Sequence, residues 1–303
     1  MMATIEKVAE VDAVVGEGPM WDAASGKLLW TDIHTGKLFS YDPSVDRYET
    51  IHSGFNVGGF AVNRQGGLAA CIWNGVVLWK SDDEWVRIVD ETFEGDPLKF
   101  NDVTADPEGR IFGGCYLGDR PGKLYRIDTD GSVRTVEEGV GCSNGMGYSP
   151  DLKTMYYTDS VVRTIYAYDY DRKTGDIGKR RVFVRLADSE GVPDGMTVDA
   201  EGFVWTALWF GGCIVRFDPD GKEERRIHLP AYQTSSVMFG GKDLTDIYVT
   251  TASFLISSGT PLDPTGYDWN GYTNGYRGGG LFRIRQDIRG VEEFQSDFAW
   301  PKK

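Results

Sequence analysis

Histidine is scarce in this chain: His34, His52 and His228 are the only three among 303 residues. A zinc site built from several imidazoles is thereby excluded. Cysteine is scarce too. Cys71, Cys115, Cys142 and Cys213 form no C-x-x-C pair, and a chain this long buries enough core to stand without disulfide staples. They read as reduced thiols, which predicts a cytoplasmic protein. No stretch nears the ~18 uninterrupted apolar residues that a membrane span needs. The opening MMATIEKVAEVDAVVGEGPMWD scatters acids among its apolar residues and holds no signal-peptide core. Positive charge is in deficit, with 32 Lys and Arg against 46 Asp and Glu and a formal net charge of -14. That balance argues against nucleic-acid and anionic-membrane partners. A sustained 3.6-residue apolar period is also missing, which argues against a helical solenoid.

What the chain has instead is glycine, 39 residues of it, and frequent Trp, Tyr and Phe, a mix suited to short strands and tight turns. One apolar strand pattern recurs six times: LLWTD (28–32), GLAAC (67–71), RIFGG (110–114), MYYTD (155–159), FVWTA (203–207) and IYVTT (247–251). Its third residues, Trp30, Ala69, Phe112, Tyr157, Trp205 and Val249, are 39, 43, 45, 48 and 44 residues apart. A second, alternating strand follows each: GKLFSYD, NGVVLWK, GKLYRID, RTIYAYD, GCIVRFD and GGLFRIR. A period near 44 residues with several strands per unit predicts an all-β fold, a six-bladed β-propeller with a central metal site, forming one domain over 1–303. The last unit carries a long inserted loop at about 253–278, rich in Gly, Tyr and Asn.

Each unit opens on a strand that ends in a D-x-x-G-like turn. The first polar positions of the turns are Asp22, Asn63, Asp106, Ser149, Asp199 and Gly240, and five residues before them stand Glu17, Gly58, Asn101, Asn144, Asp194 and Ser235. Four of these six are carboxylates or carboxamides. First strands line the channel of a propeller, so the four are predicted to meet at one depth. Crowded acids and amides there require a partner. Their oxygens suit a hard divalent cation such as Ca²⁺, Mg²⁺ or Mn²⁺, with Zn²⁺ tolerated. Taken singly, Glu17-Gly18, Asn144-Gly145 and Asp194-Gly195 also read as ordinary turn pairs.

Gly16-Glu17-Gly18-Pro19-Met20-Trp21, Phe100-Asn101-Asp102, Ser143-Asn144-Gly145-Met146 and Pro193-Asp194-Gly195-Met196, in that order at blade spacing, resemble the gluconolactonase and senescence-marker-protein-30 (regucalcin-like) family of sugar lactonases. The resemblance covers nearly the whole chain. It implies one divalent metal cation (Ca, Mg, Mn, Zn or Fe(II)) held by Glu17, Asn144 and Asp194, with Asn101 contacting substrate. Lys99 stands where family members often carry a sugar-binding arginine, and Asp119 lies near a position that is acidic in the family.

These assignments predict a hydrolase of carbohydrate metabolism that opens a small-molecule sugar lactone to the aldonic acid, as a monomer or small homo-oligomer. A metal can polarise the ester carbonyl and acidify a water, with Asp194 as the general base. Asn101 and Lys99 would orient the polyol, and Tyr116 and Trp209 would offer flat surfaces to the ring. The alternatives are a non-enzymatic metal- or ligand-binding propeller and a metal-dependent hydrolase of aryl esters or organophosphates. Gly141-Cys142-Ser143-Asn144-Gly145 also matches G-x-S-x-G, with Asp194 and His228 following. The residues after it read strand, turn, strand, not the helix that a nucleophile elbow needs.

Overall fold

In the computed structural model, residues 4–90, 92–118, 120–256 and 262–301 are described. The D-x-x-G turns set where the chain doubles back. Asp106 Oδ1 accepts from the backbone N–H groups of Glu108 and Arg110 at 2.9 and 3.0 Å. Asp199 Oδ1 does the same for Glu201 and Phe203, at 3.0 Å each. A side chain that takes two amides in this way closes a tight hairpin.

Successive hairpins build six four-stranded antiparallel sheets. Blade 1 is Gly16–Asp22, Lys27–Asp32, Lys37–Asp42 and Arg47–Ser53. Blade 2 is Val57–Val62, Leu68–Ile72, Gly75–Ser81 and Glu84–Val89. Blade 3 is Phe100–Ala105, Ile111–Cys115, Gly122–Ile127 and Val133–Val140. Blade 4 is Ser143–Tyr148, Thr154–Asp159, Thr164–Asp171 and Asp176–Arg185. Blade 5 is Val192–Val198, Val204–Trp209, Cys213–Phe217 and Glu223–His228. Blade 6 takes Thr234–Gly240, Asp246–Thr251 and Gly280–Arg285 from one end of the chain and its outer strand, Ile5–Glu10, from the other. Ile5 pairs with Ile284 and Glu10 with Gly280, so the N-terminal strand closes the ring. Each inner strand touches that of the next blade, and Gly16–Asp22 touches the inner strands of blades 2 and 6.

The core is divided in the same way. Six apolar clusters lie one at each blade interface. Leu28, Trp30 and Tyr41 pack on Met238, Tyr248 and Leu281 where blade 1 meets blade 6, and Phe112 and Leu124 pack on Met155 and Tyr157 between blades 3 and 4. Second strands such as Leu68–Ile72 and Ile111–Cys115 are buried along their whole length, which explains their unbroken apolar runs. Outer strands such as Arg47–Ser53 and Glu223–His228 are largely exposed and polar. Below the ring, the C-terminal segment is latched by Asn63, whose Nδ2 donates to Phe298 O at 3.0 Å while its Oδ1 accepts from Phe298 N at 2.9 Å. The four cysteines are buried and free. Among the described residues no helix is long and apolar enough to cross a membrane, and the helix Trp269–Asn274 has six residues.

All six inner strands are irregular at the same place. Pairing with the second strand shifts register at Glu17/Met20, Val57/Gly59, Phe100/Asp102, Asn144/Met146, Pro193/Met196 and Thr234/Ser236. A bulge re-aims the side chain beside it, and the bulges coincide with the column read from the sequence. They also need close backbone approach. A Cβ on Gly145 would lie 2.6 Å from both Asp194 O and Met196 N, and one on Gly195 would lie 2.0 Å from Ser236 Oγ. The glycines after Asn144 and Asp194 therefore let adjacent blades converge on the axis. Gly145→Ala, which drives a methyl into the backbone of blade 5, is expected to lower unfolding free energy by about 1–3 kcal/mol. Chemical denaturation checks this, and an unchanged midpoint would show that the blades have slack here.

Candidate active site

The bulges deliver Glu17, Asn101, Asn144 and Asp194, from blades 1, 3, 4 and 5, to the floor of one cavity of about 420 Å³. The other two positions of the column are Gly58, which has no side chain, and Ser235, whose Oγ is spent on Gly16 O at 2.5 Å. Glu17, Asn144 and Asp194 are all buried. Neither carboxylate forms an ion pair with a described Lys, Arg or His.

Electrostatics at the floor follow from this crowding. Burial pushes the Asp194 carboxyl well above its usual range, and Glu17 and Asp102 push it further. Glu17 is raised in the same way by burial and then by Asp102, with the Gly18 N–H opposing. Asp194 Oδ1 is buried with no hydrogen-bond partner. Asn144 is clamped. Its Nδ2 donates to Ser160 Oγ at 2.8 Å, and its Oδ1 accepts from Asn101 Nδ2 at 2.9 Å. Ser160 Oγ donates in turn to Pro193 O at 2.6 Å, tying the strand of Asn144 to the backbone just before Asp194. With its nitrogen committed to Ser160, the Asn144 amide has only its oxygen left to offer a ligand.

This donor set fits a hard cation. Two carboxylates and an amide oxygen are the ligands that Ca²⁺, Mg²⁺ or Mn²⁺ take, and an orphaned buried carboxylate oxygen without a cation is costly. Among the described residues no three of His, Cys, Asp and Glu form a ligand cluster, so Asn144 is needed to complete the set.

The lead-in to two of the floor strands is also fixed. Asp32 accepts from Val14 N and Val15 N, both at 3.0 Å, and Asp159 accepts from Gly141 N and Cys142 N at 3.0 and 3.1 Å. These aspartates join the segment before a blade's inner strand to the second strand of the same blade.

Lys99, Tyr116 and Trp209 stand on the cavity wall, and Asp119 lies outside the described residues. The Lys99 ammonium sits 4.4 Å above the Trp73 ring. Trp73 meets His34 edge-on at 5.8 Å between centroids, and His34 meets Phe254 at 5.2 Å. An arc of rings therefore runs from the insert of blade 6 through blades 1 and 2 to Lys99. Burial holds the His34 imidazole below its usual pKa, Asp32 opposes this, and Lys99 adds to it. Sequence reasoning missed Ser160, Trp73 and the wall position of His34. None belongs to the aligned column. The one pointer to Ser160 was its place directly after the MYYTD strand.

Ser143 does not form a catalytic triad. It opens an inner strand, is fully buried and packs against Gly114 of blade 3. His228 ends an outer strand at the exposed edge of blade 5.

Residues 15–253 match the family described as the SMP-30/Gluconolactonase/LRE-like region. Pentonolactonase XacC of Haloferax volcanii is 41% identical over 298 residues, covering 97% of this chain and 98% of that protein. Regucalcin of Xenopus laevis is 36% identical over 258 residues, 82% of this chain and 86% of that one. The structure of a luciferin-regenerating enzyme superposes with a TM-score of 0.87 at 25% identity, covering 98% of this chain and all of that chain. With its six-bladed ring, its four floor residues in register and this breadth of similarity, the chain belongs to the SMP-30/gluconolactonase/LRE-like family.

Proposed function

We propose that this protein hydrolyses a sugar lactone to the aldonic acid, using one divalent cation held by Glu17, Asn144 and Asp194. The observation that carries the reading is a pair of buried carboxylates without a cationic partner, beside a clamped amide, on the floor of a cavity walled by Lys99 and aromatic rings. The 41% identity with an enzyme named pentonolactonase supports it. When bound, the cation (Ca, Mg, Mn, Zn or Fe(II)) would polarise the ester carbonyl and lower the pKa of water at the site.

The chain's own groups supply the rest. Asp194 Oδ1, with no hydrogen-bond partner, takes the proton of the attacking water as general base. Water oxygen bonds to the carbonyl carbon, the ring C–O bond breaks, and the same proton returns to the departing alkoxide. Asn101 commits its Nδ2 to Asn144 Oδ1 and Ser143 O, which leaves its Oδ1 to accept from a substrate hydroxyl. Lys99 donates to a second hydroxyl. Tyr116, which is exposed on the rim, and Trp209 bound the ring. The chain acts as one domain, and Phe254, Ile256 and Leu262 of the insert face the cavity.

Three outcomes test this reading. Asp194→Asn keeps the shape and removes the base, so kcat at saturating metal is expected to fall by about 10²-fold or more; a native rate would remove Asp194 from proton transfer. Ser160→Ala frees the Asn144 amide, and the metal dissociation constant, measured by calorimetry, is expected to rise about 10–100-fold. An unchanged constant would show that the clamp is incidental. Lys99→Ala removes a contact made in ground and transition state alike, so KM rises while kcat changes little. An unmoved KM would place Lys99 outside the substrate site.

A further inference from the structure

Two non-glycine residues at the cavity end of the ring hold a backbone conformation that favours glycine. Arg163 has a φ of 52° and Phe210 a φ of 65°. Each stands between the second and third strands of its blade, Arg163 just ahead of Thr164–Asp171 in blade 4 and Phe210 just after Val204–Trp209 in blade 5. In this region a Cβ crowds the backbone, and a bulky residue there is an outlier. Blade 1 shows the relaxed solution. Asp32 and Asp159 grip the lead-in to their blades in the same way. Four residues after Asp32 the chain uses Gly36, at φ 67°, whereas four residues after Asp159 it uses Arg163. Strain of this kind persists where the surrounding structure over-determines it, and it clusters near functional sites.

Both side chains are buried, and neither lines the cavity. They grip the insert of blade 6 instead. Arg163 Nη2 donates to the carbonyls of Leu262 and Asp263 at 2.9 Å each, and its Nη1 donates to Glu190 O at 3.2 Å. The Phe210 ring is met edge-on by Tyr267, Trp269 and Tyr272, with centroids 5.4, 5.6 and 5.6 Å away, a geometry that aromatic pairs favour. Tyr272 OH in turn accepts from Ile256 N at 3.0 Å. Ile256 and Leu262 line the cavity, as does Trp209, the sequence neighbour of Phe210. A hydrogen-bonding fork from blade 4 and an aromatic peg from blade 5 thus lead, one contact further on, to side chains that face the cavity.

We propose that Arg163 and Phe210 are positioning residues that pin the insert against blades 4 and 5 and thereby set how tightly substrate is held, without touching it. The proposal rests on the lactonase reading above and extends it to residues outside the cavity. Groups that bind a ligand keep their geometry only when the residues behind them are fixed. The floor is tied separately, through Ser160 and Asn101, so loosening the insert leaves Glu17, Asn144 and Asp194 in place.

Two substitutions test this. Arg163→Gly gives the turn the residue that its φ favours and removes the fork. Phe210→Leu keeps apolar bulk and removes the ring edges. With metal-loaded full-length protein and pentono- and hexonolactones as substrates, KM is expected to rise about 10-fold in each variant while kcat stays within about 2-fold of native. The metal dissociation constant, measured by calorimetry, stays native. Amide hydrogen exchange across 262–278, followed without substrate, is expected to quicken by about 10-fold or more. An unmoved KM in both variants, a metal affinity that weakens in step with KM, or exchange at the native rate overturns the proposal. Failure of the metal-loaded native protein to turn over any lactone overturns the lactonase reading instead, and the exchange rates then decide the anchoring by themselves.

Discussion

Six inner strands converge on one axis, and everything else in this protein answers to that crowding. Glu17, Asn144 and Asp194 are buried there and, with the half-buried Asn101, face one small volume. For Gly58 and Ser235 the position is harmless. For Glu17 and Asp194 it places two acids in a desolvated spot without a basic partner, an arrangement that costs several kcal/mol per uncompensated ion. Such a cost persists only when the surrounding structure over-determines it. Here the six apolar interfaces and the strand Ile5–Glu10 that closes blade 6 supply that restraint. No blade can relax outward without breaking two cores.

The same geometry separates tasks by depth. Floor residues sit on strands, where bulges, the Asp32 and Asp159 hydrogen bonds and the Ser160 clamp fix them from several directions. Groups that must hold a charged centre within a fraction of an ångström belong on such elements. The mouth includes Phe254, Ile256 and Leu262, which lie outside the strands, where sequence can vary without disturbing the ring. The chain invests in that rim: Arg163, Gln233 and Tyr272 anchor it through hydrogen bonds to the backbone of Leu262, Ala252 and Ile256.

Second and third strands were legible in the sequence because they are buried on both faces, which leaves unbroken or alternating apolar runs at a repeating distance. Outer strands were not, since Arg47–Ser53 and Glu223–His228 face solvent and carry no pattern beyond polarity. The N-terminal closure of blade 6 was hidden for a related reason: Ile5–Glu10 is a lone outer strand far in sequence from its partner. At the site, the column of four polar residues was visible because the repeat imposes a register. The glycine pairs beside it look like turns in sequence, and the structure shows bulges that admit the neighbouring backbone. Trp73 left no trace and Ser160 only its place after the MYYTD strand, since each occurs once and contributes through a partner brought close only by the ring.

Lys99 shows how such a single-copy contact can fix a charge on the cavity wall. An arginine presents a planar fork that matches two oxygens at set angles, whereas an ammonium offers three donors on a flexible stem. Alone, that stem would hold the charge loosely. The Trp73 ring 4.4 Å beneath it supplies an attractive face for the cation, and Trp73 is itself braced by His34 and, beyond it, Phe254. The polar wall thus ends in a localised charge with little directional demand. An arc of rings thus joins Phe254, after the second strand of blade 6, to Lys99, ahead of blade 3, and fixes where that charge stands on the cavity wall.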